Sequence, residues 1–106
     1  MLVLQSAELT GVVEQYRNRG LRVGLICSET ARLPQWPDVK VHVLPEPVSG
    51  FAKGLFAAIR ALDESGVEVI VVQGVEERGL GLAVMDRLRR AASLVVDEHG
   101  QAVVRA

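Results

Sequence analysis

The feature that most constrains the fold is the apolar run at residues 67–72, which is the most β-branched run in the chain. Valine and isoleucine favour strands, and a run with almost no polar alternation is typical of a strand covered on both faces. Residues 21–27 form a second run of this kind, almost wholly apolar after Arg22. Both runs predict central strands of a parallel sheet with helices packed on its faces.

Two segments have the apolar spacing of amphipathic helices, with i, i+3, i+4 and i+7 positions occupied by core residues. Ser6 stands at an N-cap position before the first segment and Gly20 ends it. The predicted buried stripe of this helix is Leu9, Val12, Val13 and Tyr16. Ser49 and Gly66 bound the second segment in the same way. Its predicted stripe is Phe51, Leu55, Ala58, Ile59 and Leu62.

Residues 79–92 predict a third helix, which begins at a glycine-containing junction just beyond the strand at 67–72. Its predicted buried stripe is Leu80, Val84, Leu88 and Ala91. Arg87 belongs to a basic cluster on this helix, in which Asp86 lies at the spacing of ordinary surface ion pairs with the two arginines at 89 and 90. A solvated face is therefore the favoured interpretation of the cluster, and binding of carboxylates or phosphate is the alternative.

The predicted elements follow the order strand, helix, strand, strand, helix, strand, helix, and then a hairpin at residues 94–104. This order is typical of an α/β layer structure with a mostly parallel sheet and right-handed crossovers. At 106 residues, the chain is expected to form a single domain over residues 1–106.

Charge and hydropathy argue against several classes of partner. The 12 basic and 13 acidic residues give a net charge of −1, so the basic surface of a nucleic-acid-binding protein is not expected. The longest uninterrupted apolar run has five residues, at 55–59, which is far too short for a membrane span. Cys27 is the single cysteine and cannot form an internal disulfide. With no signal peptide pattern at the start, a cytoplasmic location is expected.

Polar residues and glycines at predicted strand ends are the candidates for binding a ligand or partner, because parallel sheets gather functional groups at their carboxyl edge. The candidates, together with Arg87 on the third helix, are Ser6, Ser28, Glu29, Gly74, Arg78, Gly79, Gly81 and Arg87. The backbone amides of the glycine-rich segment could wrap an anion, with Arg78 as the counter-charge. Glu76 and Glu77 favour a solvated loop instead, since acids near a first helical turn are normal dipole partners.

The sequence lacks the patterns of common catalytic sites, and no catalytic residue is predicted. Cys27 would need a nearby base to act as a nucleophile, and neither His42 nor His99 can be assigned to that place, so a small buried core residue is expected. The two histidines and the cysteine have no zinc-ligand spacing, and no metal site is predicted. Neither a dinucleotide-binding nor a P-loop motif occurs.

The third helix carries a resemblance to a known family. Its sequence, Gly-Leu-Gly-Leu-Ala-Val-Met-Asp-Arg-Leu-Arg-Arg-Ala-Ala at residues 79–92, resembles the closing helix of the C-terminal domain of two-domain threonylcarbamoyl-AMP synthases. Residues 22–26, 55–63 and 69–72 are similar to the same domain in the same order, so the resemblance covers about residues 2–96. Residues 97–106 form a tail beyond it.

The resemblance implies a Rossmann-like fold with three layers, to which the order of the predicted elements adds a mostly parallel sheet of about five to six strands and a C-terminal hairpin. It also implies an accessory or regulatory role in making threonylcarbamoyl-adenylate, from threonine, bicarbonate and ATP, for the modification of adenosine in tRNA. In that family a separate catalytic (YrdC-like) domain and a linker precede this domain, and neither is expected in this chain. ATP and Mg²⁺ belong to the catalytic domain, so no cofactor is expected here.

The expected partner is that catalytic domain, and a homodimer is a second expectation because a domain parted from its neighbour exposes an apolar face. The alternative function is a small stand-alone nucleotide- or anion-binding module that uses residues 73–81.

Overall fold

The computed structural model describes residues 2–5, 9–29, 31–45, 48–75, 78–92, 94–96 and 102–104. In chain order the elements are β1 (Leu2–Gln5), α1 (Leu9–Asn18), β2 (Val23–Ser28), β3 (Lys40–Leu44), α2 (Val48–Glu64), β4 (Val69–Gln73), α3 (Leu80–Ala91), β5 (Leu94–Val96) and β6 (Ala102–Val104).

The strands form one sheet in the order β3-β2-β4-β1-β5-β6. Its central parallel part has four strands, β3-β2-β4-β1, and the predicted number of five to six is reached only with the two three-residue strands at one edge. Of these, β5 is parallel to β1 and β6 is antiparallel to β5. The predicted α/β class, the mostly parallel sheet and the C-terminal hairpin are confirmed.

Two apolar clusters fill the two faces of the sheet. Side chains alternate along β2, so Leu25 and Cys27 face the cluster that contains α1, while Ile26 faces the cluster that contains α2 and α3. All six residues of β2 are buried, as expected for a strand with helices on both sides. The chain therefore has the three layers that the resemblance implies.

The first two helices follow the predicted periodicity closely. The buried residues of α1 are the four predicted ones, Leu9, Val12, Val13 and Tyr16. The glycines after α1 and α2 have positive φ, at 78° for Gly20 and 87° for Gly66, which lets the chain leave the helix without a Cβ clash. The predicted N-cap of α2 is wrong, because this helix begins at Val48 and Ser49 lies inside its first turn.

The predicted stripe of α3 is wrong at both ends. Leu80 is 51% exposed and Ala91 is also exposed, whereas the buried residues of this helix are Gly81, Val84, Met85 and Leu88. At about 100° per residue, the face that contacts the sheet is rotated by about 50° from the predicted one, toward Gly81 and Met85. The sequence of this helix has small and apolar residues on several faces, so its periodicity does not select a single buried face.

The longest helix of the described residues, α2, has 17 residues. Across the same part of the chain, no helix combines the length and the hydropathy that crossing a membrane requires.

Candidate functional site

The described residues of the segment that joins β2 to β3 form no helix, and they cover one edge of the sheet on the α1 side. The segment is described at residue 29 and at residues 31–39, and Trp36 and Val39 anchor it in the α1-side cluster, each 8% exposed. Arg17 of α1 holds it from outside, because Nη2 lies 2.7 Å from Oδ1 of Asp38 and Nε donates to both carboxylate oxygens at 3.0 Å. These hydrogen bonds lower the pKa of Asp38.

Between this segment and the sheet lies a cavity of about 400 Å³ that opens to solvent, here called the β3 recess. Cys27, Val41 and Val43 contribute its sheet side, and Leu33 and Trp36 contribute its loop side. Its polar lining comes from Ser28, Glu29 and Gln35. A mostly apolar concave surface with a few polar groups is the usual form of a binding site in proteins.

Cys27 lines the β3 recess but is 2% exposed. Burial raises the pKa of its thiol, so the protonated and unreactive form is favoured. The prediction that Cys27 is a small buried core residue is confirmed. The chemistry available at the recess is therefore apolar contact and hydrogen bonding.

The β3 recess adjoins an exposed part of the sheet. β3 is the terminal strand in the sheet order, and its Val41 and Val43 side chains are 43% and 57% exposed. Among the described residues, the other exposed large apolar side chains are Leu80 and Leu82 at the start of α3, at 51% and 53%. The described residues thus have two exposed apolar places, on different elements.

A second concave place is expected between β1 and β4. The chain leaves β1 toward α1 and leaves β4 toward α3, which lie on opposite faces, so these two strands form the topological switch point of the sheet. Gln5 and Gln73 are paired in register there. The Gln73 side chain reaches across to β2, where its Oε1 accepts a hydrogen bond of 2.7 Å from the Ser28 amide. That bond joins the switch point to the β3 recess.

The segment between β4 and α3 is described at residues 74–75 and 78–79. Gly79, the N-cap of α3, has φ of 54°, and no side chain makes a capping hydrogen bond there. The Val75 amide lies 3.3 Å from Sδ of Met85, which fixes this segment against α3. Glycine is required at Gly79 by its positive φ.

The predicted site residues are distributed over three places rather than one. Ser28 and Glu29 line the β3 recess. Gly74, Arg78 and Gly79 lie in the segment before α3, and Gly81 is buried in its first turn. The guanidinium carbon of Arg87 lies 3.9 Å from the centroid of the Phe56 ring, on the α2–α3 side of the sheet. Ser6 lies outside the described residues.

The basic cluster on α3 includes the predicted surface pair. Nη2 of Arg90 lies 2.7 Å from Oδ2 of Asp86, and both side chains are well exposed. Within the described residues, no group of three or more His, Cys, Asp or Glu side chains could hold a metal ion.

Sequence reasoning missed the residues that define the β3 recess, namely Leu33, Trp36, Val41 and Val43. One signal could have indicated Trp36, because it is the only tryptophan of the chain and lies between Pro34 and Pro37 in a segment without periodicity. The alternation of polar and apolar side chains at residues 40–44 predicts instead that Val41 and Val43 are covered, whereas both are exposed.

Comparison with known proteins places this fold in a family. The family described as "Threonylcarbamoyl-AMP synthase, C-terminal domain" matches residues 1–93. A threonylcarbamoyl-AMP synthase from Pyrococcus abyssi is 41% identical over 81 residues, which are 76% of this chain and 22% of that protein. One from Schizosaccharomyces pombe is 35% identical over 97 residues, which are 82% of this chain and 24% of that protein. This chain thus spans about a quarter of the length of the curated relatives it matches.

Two solved structures are similar to this one. The crystal structure of Pyrococcus abyssi Sua5 complexed with L-threonine superposes with a TM-score of 0.72 at 34% identity, over 85% of this chain and 27% of that chain. The crystal structure of the C-terminal Sua5 domain from Pyrococcus horikoshii has a TM-score of 0.61 at 36% identity. It is matched over 83% of this chain and 87% of that chain, so the similarity covers nearly the whole of a solved single domain.

Proposed function

The chain belongs to the family of threonylcarbamoyl-AMP synthase C-terminal domains, and from this premise we propose that it is an accessory domain for threonylcarbamoyl-adenylate synthesis. In this proposal it takes part in the threonylcarbamoylation of tRNA adenosine without performing the chemistry itself. It acts by binding the catalytic polypeptide, on which threonine, bicarbonate, ATP and Mg²⁺ are bound. The cytoplasmic location expected from the sequence is part of the same proposal.

The observation that supports this function is that the family matches nearly all of this chain, while this chain covers only a small part of each relative's length. The family matches residues 1–93, which include every element from β1 to α3, yet the chain spans only 22–24% of the relatives that carry the activity in their names. Because this domain is a minor part of each of these three synthases, it must be coupled to the rest of the protein to affect the reaction. The exposed valines of β3 and the recess beside them provide an apolar surface for that coupling.

The proposal is tested by mixing this chain with a catalytic polypeptide. The segment of the Bacillus subtilis threonylcarbamoyl-AMP synthase that lies outside the matched region is a suitable choice, because that relative is 33% identical to this chain over 82 residues. We expect this chain to form a complex with it and to change its rate of threonine- and bicarbonate-dependent ATP consumption. The chain alone is expected to consume no ATP. An unchanged rate together with no complex would refute the proposal.

The alternative function, a nucleotide- or anion-binding module, is distinguished by calorimetry. It depends on the segment before α3, where the N-cap residue, Gly79, has no side chain that could accept a hydrogen bond from the first helical amides. Titration of this chain with ATP, AMP and pyrophosphate is expected to give no binding heat. Saturable heat that is lost in Arg78→Ala would favour the alternative.

A further inference from the structure

We propose that the outer edge of β3 and the β3 recess together bind one extended segment of the catalytic polypeptide, which adds a strand to the sheet and inserts one large apolar side chain into the recess. This inference rests on the proposed function and names the surface through which it acts.

The backbone of β3 has pairing groups available on its outer side. In a parallel ladder, alternate residues direct both their N–H and C=O groups to the neighbouring strand. The Glu29 amide donates to the Leu44 carbonyl at 3.1 Å, so the backbone N–H and C=O groups of Leu44 point toward β2. The same groups of Val41 and Val43, which alternate with the residues that pair with β2, therefore point outward. On that side, the sheet order places no further strand among the described residues.

The same two residues line the β3 recess. Their side chains are among the most exposed large apolar groups of the described residues, and both contact the cavity that Trp36 and Leu33 close from the loop side. Main-chain pairing at a sheet edge gives affinity, while a pocket for an alternate side chain gives specificity. Here one short strand provides both features. Lys40 and Pro45 at its ends restrict pairing to the apolar middle of the strand.

The recess volume favours a heterologous occupant over a second copy of this chain. Two copies paired antiparallel through β3 would present only Val41 and Val43 to this face of the sheet. A cavity of about 400 Å³ is within the range that holds a small organic ligand, so a valine side chain leaves most of it empty. A leucine, phenylalanine or tyrosine with its flanking backbone fills it far better.

The part of the synthase outside this domain is the source that we propose for this occupant. Relatives carry this domain as 22–24% of their length, so about three quarters of each relative is available to contact it. Most of the residues that line the recess are apolar, and Gln35 adds a polar side chain. The chemistry that fits is an extended strand with one large apolar side chain between small or β-branched neighbours.

A pair of matched variants tests the inference. Val43→Lys places a charge on the outer strand, and Leu82→Lys places the same charge at an equally exposed site on α3, since the two positions are 57% and 53% exposed. Affinity for the Bacillus subtilis catalytic polypeptide is measured by calorimetry. We expect Val43→Lys to weaken binding by about tenfold or more, as for a central interface residue, and Leu82→Lys to change it by less than about twofold.

A second pair tests the backbone contribution. Val41→Pro removes an outward amide, whereas Val41→Thr retains it with a side chain of similar shape. We expect the proline variant to weaken binding and the threonine variant to bind like the unsubstituted chain, with circular dichroism and thermal unfolding confirming that both are folded. If Val41→Pro does not fold, the result of the Val43→Lys and Leu82→Lys pair decides.

Three outcomes overturn the inference in distinguishable ways. Absence of any complex with the unsubstituted chain refutes the proposed function and this inference with it. A complex that Val43→Lys and Leu82→Lys weaken equally, or not at all, refutes only the assignment to β3. If sedimentation shows that the unsubstituted chain self-associates and Val43→Lys abolishes this, the edge belongs to a second copy and the inference is wrong.

Discussion

Gly24 of β2 allows α2 to pack closely on the sheet, and replacing it by alanine tests this directly. A Cβ built at Gly24 would lie 3.0 and 3.1 Å from the two Cδ atoms of Leu62 and 3.3 Å from its Cγ. Leu62 is 1% exposed, so its side chain must shift within a filled core. Overpacking of this kind costs about 1–3 kcal/mol. Loss of glycine flexibility in the unfolded chain offsets about 0.4–1 kcal/mol of that cost.

We therefore expect Gly24→Ala to lower the free energy of unfolding by about 1 kcal/mol, which corresponds to about 4–8 °C in Tm. Leu62→Ala alone should lower it by about 2–5 kcal/mol, because it leaves a cavity. In that background the added methyl group partly fills the cavity, so Gly24→Ala should become stabilising by about 0.5–1 kcal/mol. The sign of the effect thus reverses between the two backgrounds.

Urea unfolding followed by the emission of Trp36, the only tryptophan, measures all four proteins of this cycle. Val13→Ala is the control partner, because Val13 is fully buried in the cluster on the opposite face of the sheet. Gly24→Ala should be additive with it to within about 0.5 kcal/mol. The reasoning is refuted if Gly24→Ala stabilises the unsubstituted protein, or destabilises the Leu62→Ala protein by the same amount.

Three further predictions concern single contacts. Hydrogen bonds from Arg17 lower the pKa of Asp38 in the folded state. Their contribution to stability is thus present above the pKa of the unfolded chain and is lost as pH falls through the folded pKa. Arg17→Met should return the pKa of Asp38 to its ordinary range in a carboxyl carbon NMR titration, and no change would contradict this. Burial raises the pKa of Cys27, so a thiol reagent at pH 8 should react slowly with the folded chain and quickly in urea; rapid reaction of the folded chain would contradict the assigned burial. Arg87→Ala should lower the free energy of unfolding by about 0.5–1 kcal/mol through loss of the contact with Phe56. Arg87→Glu should lower it as well, because a carboxylate cannot replace the cation over the ring.

The sequence predicted those elements whose burial follows a simple pattern, either one apolar face or burial on both faces. The stripe of α1 was predicted completely, because its apolar residues lie on one face and polar ones on the other. The strands β2 and β4 were recognised by burial on both faces. The buried face of α3 was mispredicted at Leu80, which is apolar yet exposed, because amphipathic periodicity assumes that such residues lie inside.

The site was harder to predict because it depends on contacts between distant residues. Ser28 and Glu29 were identified from the rule that strand ends carry function, and both line the β3 recess. The recess itself exists because Trp36 packs back onto the α1-side cluster and carries an aperiodic segment over β3. No local pattern in the segment between β2 and β3 encodes that path. Nor does local sequence reveal that β3 is the terminal strand, which the crossover order determines.

Amide hydrogen exchange at β3 tests the central claim most directly. In the isolated chain the Val41 and Val43 amides should exchange rapidly, while the Leu25 and Ile26 amides in the interior of the sheet are protected. Addition of the Bacillus subtilis catalytic polypeptide should protect Val41 and Val43 and leave the exposed start of α3 unchanged. Protection elsewhere with continued rapid exchange at Val41 and Val43 would contradict the assignment of β3 as the docking edge. Unchanged exchange throughout the chain would contradict the accessory function itself.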